Sequence, residues 1–362
     1  MEKLYVTRTS LPPFEEYCAE IRDLWDSALI TNMGVKHQRL QQELEAFLEG
    51  PLTLFANGHL ALESVLEALE LPKGSEVITT PFTFVSTVHA IVRKGLVPVF
   101  CDVLEADGTL DPEKAEALVT ESTAAILPVH VYGHPCRAER LEALSRKHGI
   151  KLIYDAAHAF GVRYKGTPLV RYGDASILSF HATKVFSTIE GGAVCFADER
   201  LRQHLEDLAN FGIRDTEHCE RVGGNAKMNE FQAAMGLCNL RHFQEEIGRR
   251  KAAYTLYREL LPPEVRLLEP REGTEPNYAY CPVVFGSREQ RDKACEALLR
   301  QGIHPRKYFY PLVSDFPPYR SCAGDGTPAA RSLSARILCL PLSASLSPAE
   351  VERICLFLRE TL

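Results

Sequence analysis

The feature that most constrains the fold is an alternation of short apolar runs and helix-like segments between residues 51 and 198. The runs are apolar throughout, as is typical of strands that are buried on both faces of a sheet. Such alternation predicts an α/β fold with a mostly parallel central sheet and helices on both faces. The predicted strands are VITTP (77–81), VPVFCDV (97–103), AAILPVHV (124–131), KLIYDAA (151–157), ASILSFH (175–181) and GAVCFAD (192–198), and the predicted helices are 58–70, 83–94, 112–120 and 137–149.

The pattern changes in the last third of the chain. Helical segments fill most of residues 199–262, and a smaller α+β pattern follows them. We therefore predict a large domain over 1–250, which includes an N-terminal helical segment, and a small C-terminal α+β domain over 251–362. The predicted elements of the small domain are strands at 281–285 and 337–342 and helices at 288–301 and 348–361.

Charge and cysteine usage exclude several classes of protein. The net charge is −7, whereas a nucleic-acid surface needs an excess of clustered Lys and Arg. No apolar run is long enough to cross a membrane, and the acidic, proline-bearing start is unlike a signal peptide. The 11 cysteines are scattered without a C-x-x-C pair, which argues against a zinc site and favours reduced thiols in the cytoplasm.

Polar or aromatic clusters follow several of the predicted strands. Because ligands of such sheets bind outside the carboxyl ends of the strands, we expect these clusters to converge on one site. Lys184 stands alone in SFHATKVFSTIEGGAV (179–194), so it is either a solvated cation or a reactive amine. Asp155 follows a buried strand, where it either needs a cationic partner or caps a helix.

Two further segments complete a possible ligand site. Asn57 and Gly58 open an amphipathic helix, and a glycine-bearing helix start offers N–H groups to a phosphate. Phe84 follows a strand, where it either stacks on a flat ring or belongs to the core. A lone lysine, an acid, a phosphate cup and an aromatic plate together suit pyridoxal phosphate, whose aldehyde forms an imine with lysine.

Six motifs in order carry a resemblance to a known family. The chain resembles the nucleotide-sugar aminotransferases of the DegT/DnrJ/EryC1/StrS family over nearly its whole length. The resemblance implies the fold-type-I architecture of pyridoxal phosphate transferases and a homodimer whose active sites lie at the subunit interface. The motifs are FANGHLALESVLEAL, EVITTPFTFVSTVHAI, LPVHVYGHPC, YDAAHAFG, SFHATKVFSTIEGGAV and GGNAKMNEFQAAMGL.

The resemblance also implies roles at the ring end of the cofactor. Lys184 matches the Schiff-base lysine, and Asp155 matches the partner of the pyridine nitrogen. His158 matches the position near the ring hydroxyl, and Phe84 matches the stacking aromatic. Relatives that dehydrate a sugar have histidine in place of this lysine, so the presence of Lys184 implies transamination.

At the phosphate end the resemblance implies a cup formed by Ser179 and by the backbone at Gly58 and His59. Asn225 matches an asparagine that the other subunit contributes to that cup. The family more often has Thr or Ala where this chain has His59, so only the backbone contact is carried over.

The implied reaction is transfer of the amino group of L-glutamate to C4 of a dTDP-4-keto-6-deoxyhexose. The product would be dTDP-4-amino-4,6-dideoxyglucose, a sugar for surface polysaccharides such as O-antigen. Amination at C3 of a 3-keto nucleotide sugar and a non-catalytic regulator on the same fold stay open as alternatives. A nicotinamide dehydrogenase is excluded, because no G-x-G-x-x-G follows the first strand.

The substrate contacts are less specific. Arg306, Lys307 and Lys227 are candidates for the diphosphate, with solvated surface charge as the alternative for each. Tyr308 and Tyr310 are candidates for the sugar or the base, with packing in the small domain as the alternative. No metal ligand is predicted.

Overall fold

A computed structural model describes residues 3–322 and 326–362. The strands in this part of the chain are β1 (Leu4–Tyr5), β2 (Leu52–Phe55), β3 (Glu76–Thr79), β4 (Val97–Phe100), β5 (Thr123–Leu127), β6 (Lys151–Asp155), β7 (Arg163–Tyr164), β8 (Thr167–Pro168), β9 (Ala175–Ser179), β10 (Gly192–Phe196), β11 (Arg266–Leu267), β12 (Thr274–Glu275), β13 (Cys281–Val284), β14 (Ile303–His304) and β15 (Ile337–Leu340). The α-helices are α1 (Phe14–Ile21), α2 (Leu24–Ser27), α3 (Val35–Phe47), α4 (Gly58–Ala68), α5 (Val85–Arg93), α6 (Pro112–Ala117), α7 (Ala138–His148), α8 (Arg200–Ala209), α9 (Glu230–Arg241), α10 (Phe243–Leu260), α11 (Arg288–Arg300), α12 (Pro328–Arg336) and α13 (Pro348–Thr361).

Seven strands form the central sheet in the order β2-β10-β9-β6-β5-β3-β4. The pairs from β9 to β4 are parallel, whereas β10 is antiparallel to both of its neighbours. Strand β10 is therefore the one member that runs against the rest, and the predicted mostly parallel sheet is confirmed. The carboxyl ends of β3, β5, β6 and β9 meet at one edge, where a ligand site is expected.

Neighbouring residues of the central strands pack on opposite faces of the sheet. On β6, Ile153 joins the core beneath α4, α5 and α8, while Leu152 and Tyr154 join the core beneath α6 and α7. Both faces are buried, which is why these strands read as continuous apolar runs in the sequence. Each buried isoleucine or leucine stabilises the fold by about 1.5–3 kcal/mol relative to an exposed one.

The predicted strands begin within one residue of the observed ones, but they end earlier than predicted. The run at 124–131 is a strand only over Thr123–Leu127, and the run at 151–157 ends at Asp155. The extra residues belong to loops at the carboxyl edge, where the backbone turns. Strand β2 was not predicted, because its short run directly precedes the helix signal of α4.

The C-terminal unit contains the antiparallel sheet β11-β13-β15, packed against α10, α11 and α13. Two short pairings link distant parts of the chain. The N-terminal β1 pairs with β14, and β12 pairs with β7. Both pairings join residues on opposite sides of the predicted division at residue 250, and that division stays a prediction.

All 11 cysteines are free, and eight of them are buried. Within residues 3–322 and 326–362, no helix has the length and apolarity to cross a lipid bilayer.

Candidate active site

A cavity of about 490 Å³ lies at the carboxyl edge of the central sheet. Its floor comes from the residues that follow β3, β6 and β9, and part of its wall comes from the C-terminal unit. The predicted site residues that line it are Gly58, His59, Phe84, Asp155, His158, Ser179, Lys184, Arg306 and Tyr308. The expected convergence of separate motifs on one site is therefore present in the structure.

Lys184 lies in the loop between β9 and β10 and is partly buried in the cavity. Its backbone N–H donates to the carbonyl of His181 at 2.8 Å, which fixes a turn at this point. Burial lowers the pKa of the Lys184 amine to about 8, and the Asp155 carboxylate opposes this change. An amine with this pKa is partly neutral near physiological pH and can act as a nucleophile or base.

Asp155 is the last residue of β6 and is buried. Its Oδ2 accepts a hydrogen bond from the Thr87 hydroxyl at 2.7 Å, and its Oδ1 accepts one from the Ala157 N–H at 3.1 Å. Burial raises the pKa of Asp155, while Thr87, Ala157 and Lys184 lower it. The residues that directly follow Asp155, 156–162, form turns and not an α-helix, so the alternative that it is a helix cap does not apply. A buried carboxylate that faces a cavity suits a cationic ring nitrogen.

His158 has a defined tautomer when it is neutral. The backbone N–H of Tyr132 donates to His158 Nδ1 at 3.0 Å, so the ring proton lies on Nε2. Burial lowers the pKa of His158 well below its ordinary value, and Lys184 lowers it further. The imidazole is therefore neutral, and its Nε2–H can donate to an oxygen in the cavity.

The anion-binding end of the cavity is the start of α4. Asn57 caps this helix, because its side-chain oxygen accepts the N–H of Leu60 at 2.9 Å. The N–H groups of Gly58 and His59 precede the first bonds within the helix and remain for an anion. The His59 ring turns aside, with Nδ1 2.8 Å from Ser86 Oγ.

Close backbone approach shapes this end. A Cβ added to Gly58 would lie 2.9 Å from the Cβ of Ser179, and one added to Gly192 would lie 2.6 Å from the nitrogen of Gly58. Both contacts are too short for a side chain, so glycine is required at each position. Strand β10 runs directly against the start of α4 for the same reason.

Phe84 precedes the first residue of α5 and lines the cavity with 59% of its surface exposed. The alternative that it is a core phenylalanine is therefore wrong. An exposed ring at the edge of the cavity is suited to stacking on a planar ligand.

The remaining predicted residues lie outside this cavity. Lys307 pairs with Asp292 at 2.5 Å, and Tyr310 packs under the guanidinium groups of α11. Lys227 donates to the side chain of Asn210 at 2.5 Å. Asn225 is exposed on the loop before α9. Of the five substrate candidates, the structure brings only Arg306 and Tyr308 to the cavity wall.

Several residues at the site were not predicted from the sequence. Tyr280 and Phe309 form an aromatic wall from the C-terminal unit, and the Tyr280 ring lies 4.7 Å from that of His158. Thr87 holds Asp155 from beneath. These residues carry no local signal, because a tyrosine beside a strand and a threonine in a helix are each more often structural.

Comparison with known proteins connects this geometry to a family. Residues 14–359 match the model of the DegT/DnrJ/EryC1/StrS aminotransferase family. The chain belongs to this family. A relative from Shigella dysenteriae, a dTDP-4-amino-4,6-dideoxy-D-glucose transaminase, is 39% identical over 99% of this chain and 100% of its own length.

Solved structures of family members agree with the fold. The structure of DesI with its TDP-sugar product superposes with a TM-score of 0.92 at 32% identity, over 99% of this chain and 93% of that one. The PLP form of the protein Spr1654 from Streptococcus pneumoniae has a TM-score of 0.91 at 26% identity, over 99% of this chain and 100% of that one.

The chain is thus a transaminase of the family, and family transaminases depend on pyridoxal phosphate. The residues present fit that group. An amine with a lowered pKa, a buried carboxylate and a glycine-lined helix start share one cavity.

Proposed function

We propose that this family member transfers the amino group of L-glutamate to C4 of a dTDP-4-keto-6-deoxyhexose and forms dTDP-4-amino-4,6-dideoxyglucose. The observation that carries the proposal is the full-length match to a transaminase named for that product, together with Lys184 and Asp155 in one cavity. Both lie beside the Gly58 helix start expected for a phosphate.

The cofactor would be held at four points. Lys184 would bind its aldehyde carbon, Asp155 its ring nitrogen, the backbone at Gly58 its phosphate, and Phe84 one ring face. When bound, pyridoxal phosphate accepts electrons from the bond broken at the amino-bearing carbon. The Nε2–H of His158 would donate to the ring hydroxyl oxygen, because Nδ1 already accepts from Tyr132.

Lys184 would carry the proton in both half-reactions. Its neutral amine would take the proton from the α-carbon of glutamate. It would later give a proton to C4 of the sugar, so one amine would serve as general base and then as general acid. The pKa of about 8 allows both protonation states near neutral pH. Beside a protonated ring nitrogen, Asp155 would be held as a carboxylate and would stabilise that positive charge.

Arg306 and Tyr308 would contact the nucleotide sugar. Arg306 is exposed at the cavity wall and its guanidinium lies 5.9 Å from the Tyr308 ring centre. A guanidinium suits a diphosphate because it donates two parallel hydrogen bonds. Lys307, Lys227 and Tyr310 would need to leave their present partners to take part.

We also propose a homodimer that shares its active sites. Large apolar side chains are exposed at Phe84, which lines the cavity, and at Ile189, Phe211, Ile213 and Val222. Exposed apolar side chains that form a common surface would favour association. Asn225 is exposed and lies outside the cavity of its own subunit, as expected for a residue that serves a partner.

Subunit mixing tests the shared site. As pure dimers, Lys184→Ala should be inactive and Asn225→Ala should be weakly active. A mixed dimer would contain one intact site, so an equal mixture should recover about a quarter of the wild-type rate. No recovery after denaturation and refolding of the mixture would contradict a shared site.

The cytoplasm is the proposed location, supported by free cysteines that an oxidising compartment would threaten.

The reaction itself is tested in two stages. Purified protein loaded with pyridoxal phosphate should lose its visible absorption on addition of glutamate, as pyridoxamine phosphate forms. A panel of 3-keto and 4-keto sugars linked to dTDP, UDP or GDP should then be scored for restoring the visible band. Restoration by dTDP-4-keto-6-deoxyglucose supports the proposal. Preference for a 3-keto sugar would favour C3 amination. If glutamate leaves the visible band unchanged, the alternative of a non-catalytic regulator on the same fold would be favoured.

A further inference from the structure

The carboxylate of Asp155 depends on a hydroxyl that lies outside the cavity. Thr87 donates to Oδ2 at 2.7 Å, is fully buried on α5, and is not among the residues that line the cavity. It therefore acts on a bound cofactor indirectly, through the side chains it contacts, and its contact with a charged group is the one to Asp155. The other oxygen, Oδ1, accepts from the backbone N–H of Ala157, which no side-chain substitution removes.

A second hydroxyl adjoins the first and belongs to Thr83, a residue that lines the cavity. The Oγ1 atoms of Thr83 and Thr87 are 2.8 Å apart, and both residues are buried. An ionised carboxylate can only accept hydrogen bonds, so the single proton of the Thr87 hydroxyl points to Asp155. The Thr83 hydroxyl must then donate to Thr87. Hydrogen bonds aligned in this way polarise and strengthen one another.

The hydrogen bond between Thr87 and Asp155 is a tertiary contact. A threonine within a helix often turns its hydroxyl back to the carbonyl four residues earlier. Thr87 instead reaches from α5 to the end of β6, across 68 residues of sequence. The same helix begins directly after Phe84, so one element presents both the aromatic plate and the support for Asp155.

Electrostatics give this contact a role beyond packing. Burial raises the pKa of Asp155, and the Thr87 hydroxyl is the largest of the influences that lower it, ahead of the Ala157 N–H and Lys184. The nearby His158 is kept neutral by burial and gives no compensating charge. Without Thr87, the Asp155 carboxyl group takes up a proton more readily and loses one of the two hydrogen bonds that orient it.

We propose that Thr87, supported by Thr83, is a positioning residue that keeps Asp155 a carboxylate and aims it at the ring nitrogen of the cofactor. The proposed role of Asp155 at that nitrogen is its premise. Hydrogen bonds to charged groups are among the stronger ones in proteins, so one buried hydroxyl has a measurable effect on cofactor chemistry.

The test compares Thr87→Val, which keeps the shape but removes the donor, with Thr87→Ser, which keeps the donor. Thr79→Val is the matched control. Thr79 lies on β3, is equally buried, and donates a hydrogen bond to the Leu127 carbonyl at 2.7 Å. For each protein we would measure the affinity of the apoprotein for pyridoxal phosphate, the single-turnover rate with glutamate, the pH titration of the visible band, and the melting temperature.

Thr87→Val should slow the half-reaction about tenfold, as expected for loss of a hydrogen bond to a charged group. Its visible band should titrate at higher pH, because a ring nitrogen that is less often protonated withdraws less charge. Its affinity for pyridoxal phosphate should fall, and Thr87→Ser should restore all three properties. Thr79→Val should change only the melting temperature.

Two outcomes separate this proposal from its premise. If Thr87→Val matches Thr79→Val in rate, affinity and titration while Asp155→Asn is severely impaired, Thr87 is only structural and the role of Asp155 stands. If Asp155→Asn itself reacts at the wild-type rate, the assignment of Asp155 fails, and the role of Thr87 fails with it.

Discussion

The two sides of the cavity are constructed differently. On the sheet side, Asp155 and His158 lie at strand ends and each is oriented by named hydrogen bonds. On the side of the C-terminal unit, Arg306 and Tyr308 follow the two-residue strand β14, and Arg306 is exposed. The sheet side is therefore rigid and suited to chemistry that every substrate shares. The other side is suited to selecting the sugar nucleotide, and changes there should spare the reaction with glutamate.

Lys184→Arg, on the sheet side of the cavity, should have the largest effect on turnover. The guanidinium keeps the positive charge but cannot form an imine or accept a proton at neutral pH. Turnover should fall by about 10⁴-fold or more, as for other removed nucleophiles. Borohydride reduction in the presence of pyridoxal phosphate should label the peptide 179–194 in the wild type and not in the variant. Label in another peptide of the wild type would refute the assignment of Lys184.

Asp155→Asn should have the next largest effect. The amide has nearly the same shape but no charge to stabilise a protonated ring nitrogen. The rate with glutamate should fall by about 10²- to 10³-fold, the range for loss of a preorganised electrostatic contact. Stopped-flow absorption at saturating glutamate measures this rate. A loss confined to the reaction with the keto-sugar would place Asp155 on the substrate side instead.

Arg306→Gln and Lys307→Gln form a matched pair on the substrate side. Arg306 faces the cavity, whereas Lys307 is paired with Asp292. The KM for the nucleotide sugar should rise about tenfold in the first variant, the cost of one charge-assisted contact, and change little in the second. Both should react with glutamate at the wild-type rate. Equal KM effects would show that the Lys307 ion pair opens on binding.

The smallest effect concerns pH. Because the pKa of Lys184 is lowered to about 8, its amine is protonated below that pH and neutral above it. The rate at which apoprotein captures pyridoxal phosphate should rise with pH and level off above about 8, well below the ordinary lysine value of about 10.4. Asp155→Asn should move the midpoint to lower pH, since the carboxylate raises the pKa of Lys184. An unmoved midpoint would mean that the two groups do not interact.

Much of the sheet side could be predicted from the sequence. Lys184, Asp155 and Gly58 lie in short motifs that follow buried strands, and topology alone brings strand ends together. The C-terminal wall could not be predicted in the same way. Tyr280 and Phe309 reach the cavity through the docking of one unit on the other, which leaves no periodic or local signal.

The residues whose contacts the sequence did not predict have similar explanations. Lys307 and Tyr310 are each next to or within two residues of Tyr308 in sequence, yet they contact α11, where Lys307 pairs with Asp292 and Tyr310 packs on buried Arg291. Thr87 was missed because its partner is 68 residues away. Sequence patterns predicted the local structure of each segment. They did not predict which side chain contacts which distant segment.

The tight passage of β10 beneath the start of α4 has a consequence for engineering. The groups offered there to an anion are main-chain amides, and the glycines that expose them admit no larger residue. Directed evolution can retune the sugar wall one side chain at a time, whereas the amides of α4 cannot be adjusted by any single coding change that keeps the backbone in position. A variant library for new sugars should therefore keep residues 57, 58 and 192 constant and vary the residues of the sugar wall on the opposite side of the cavity.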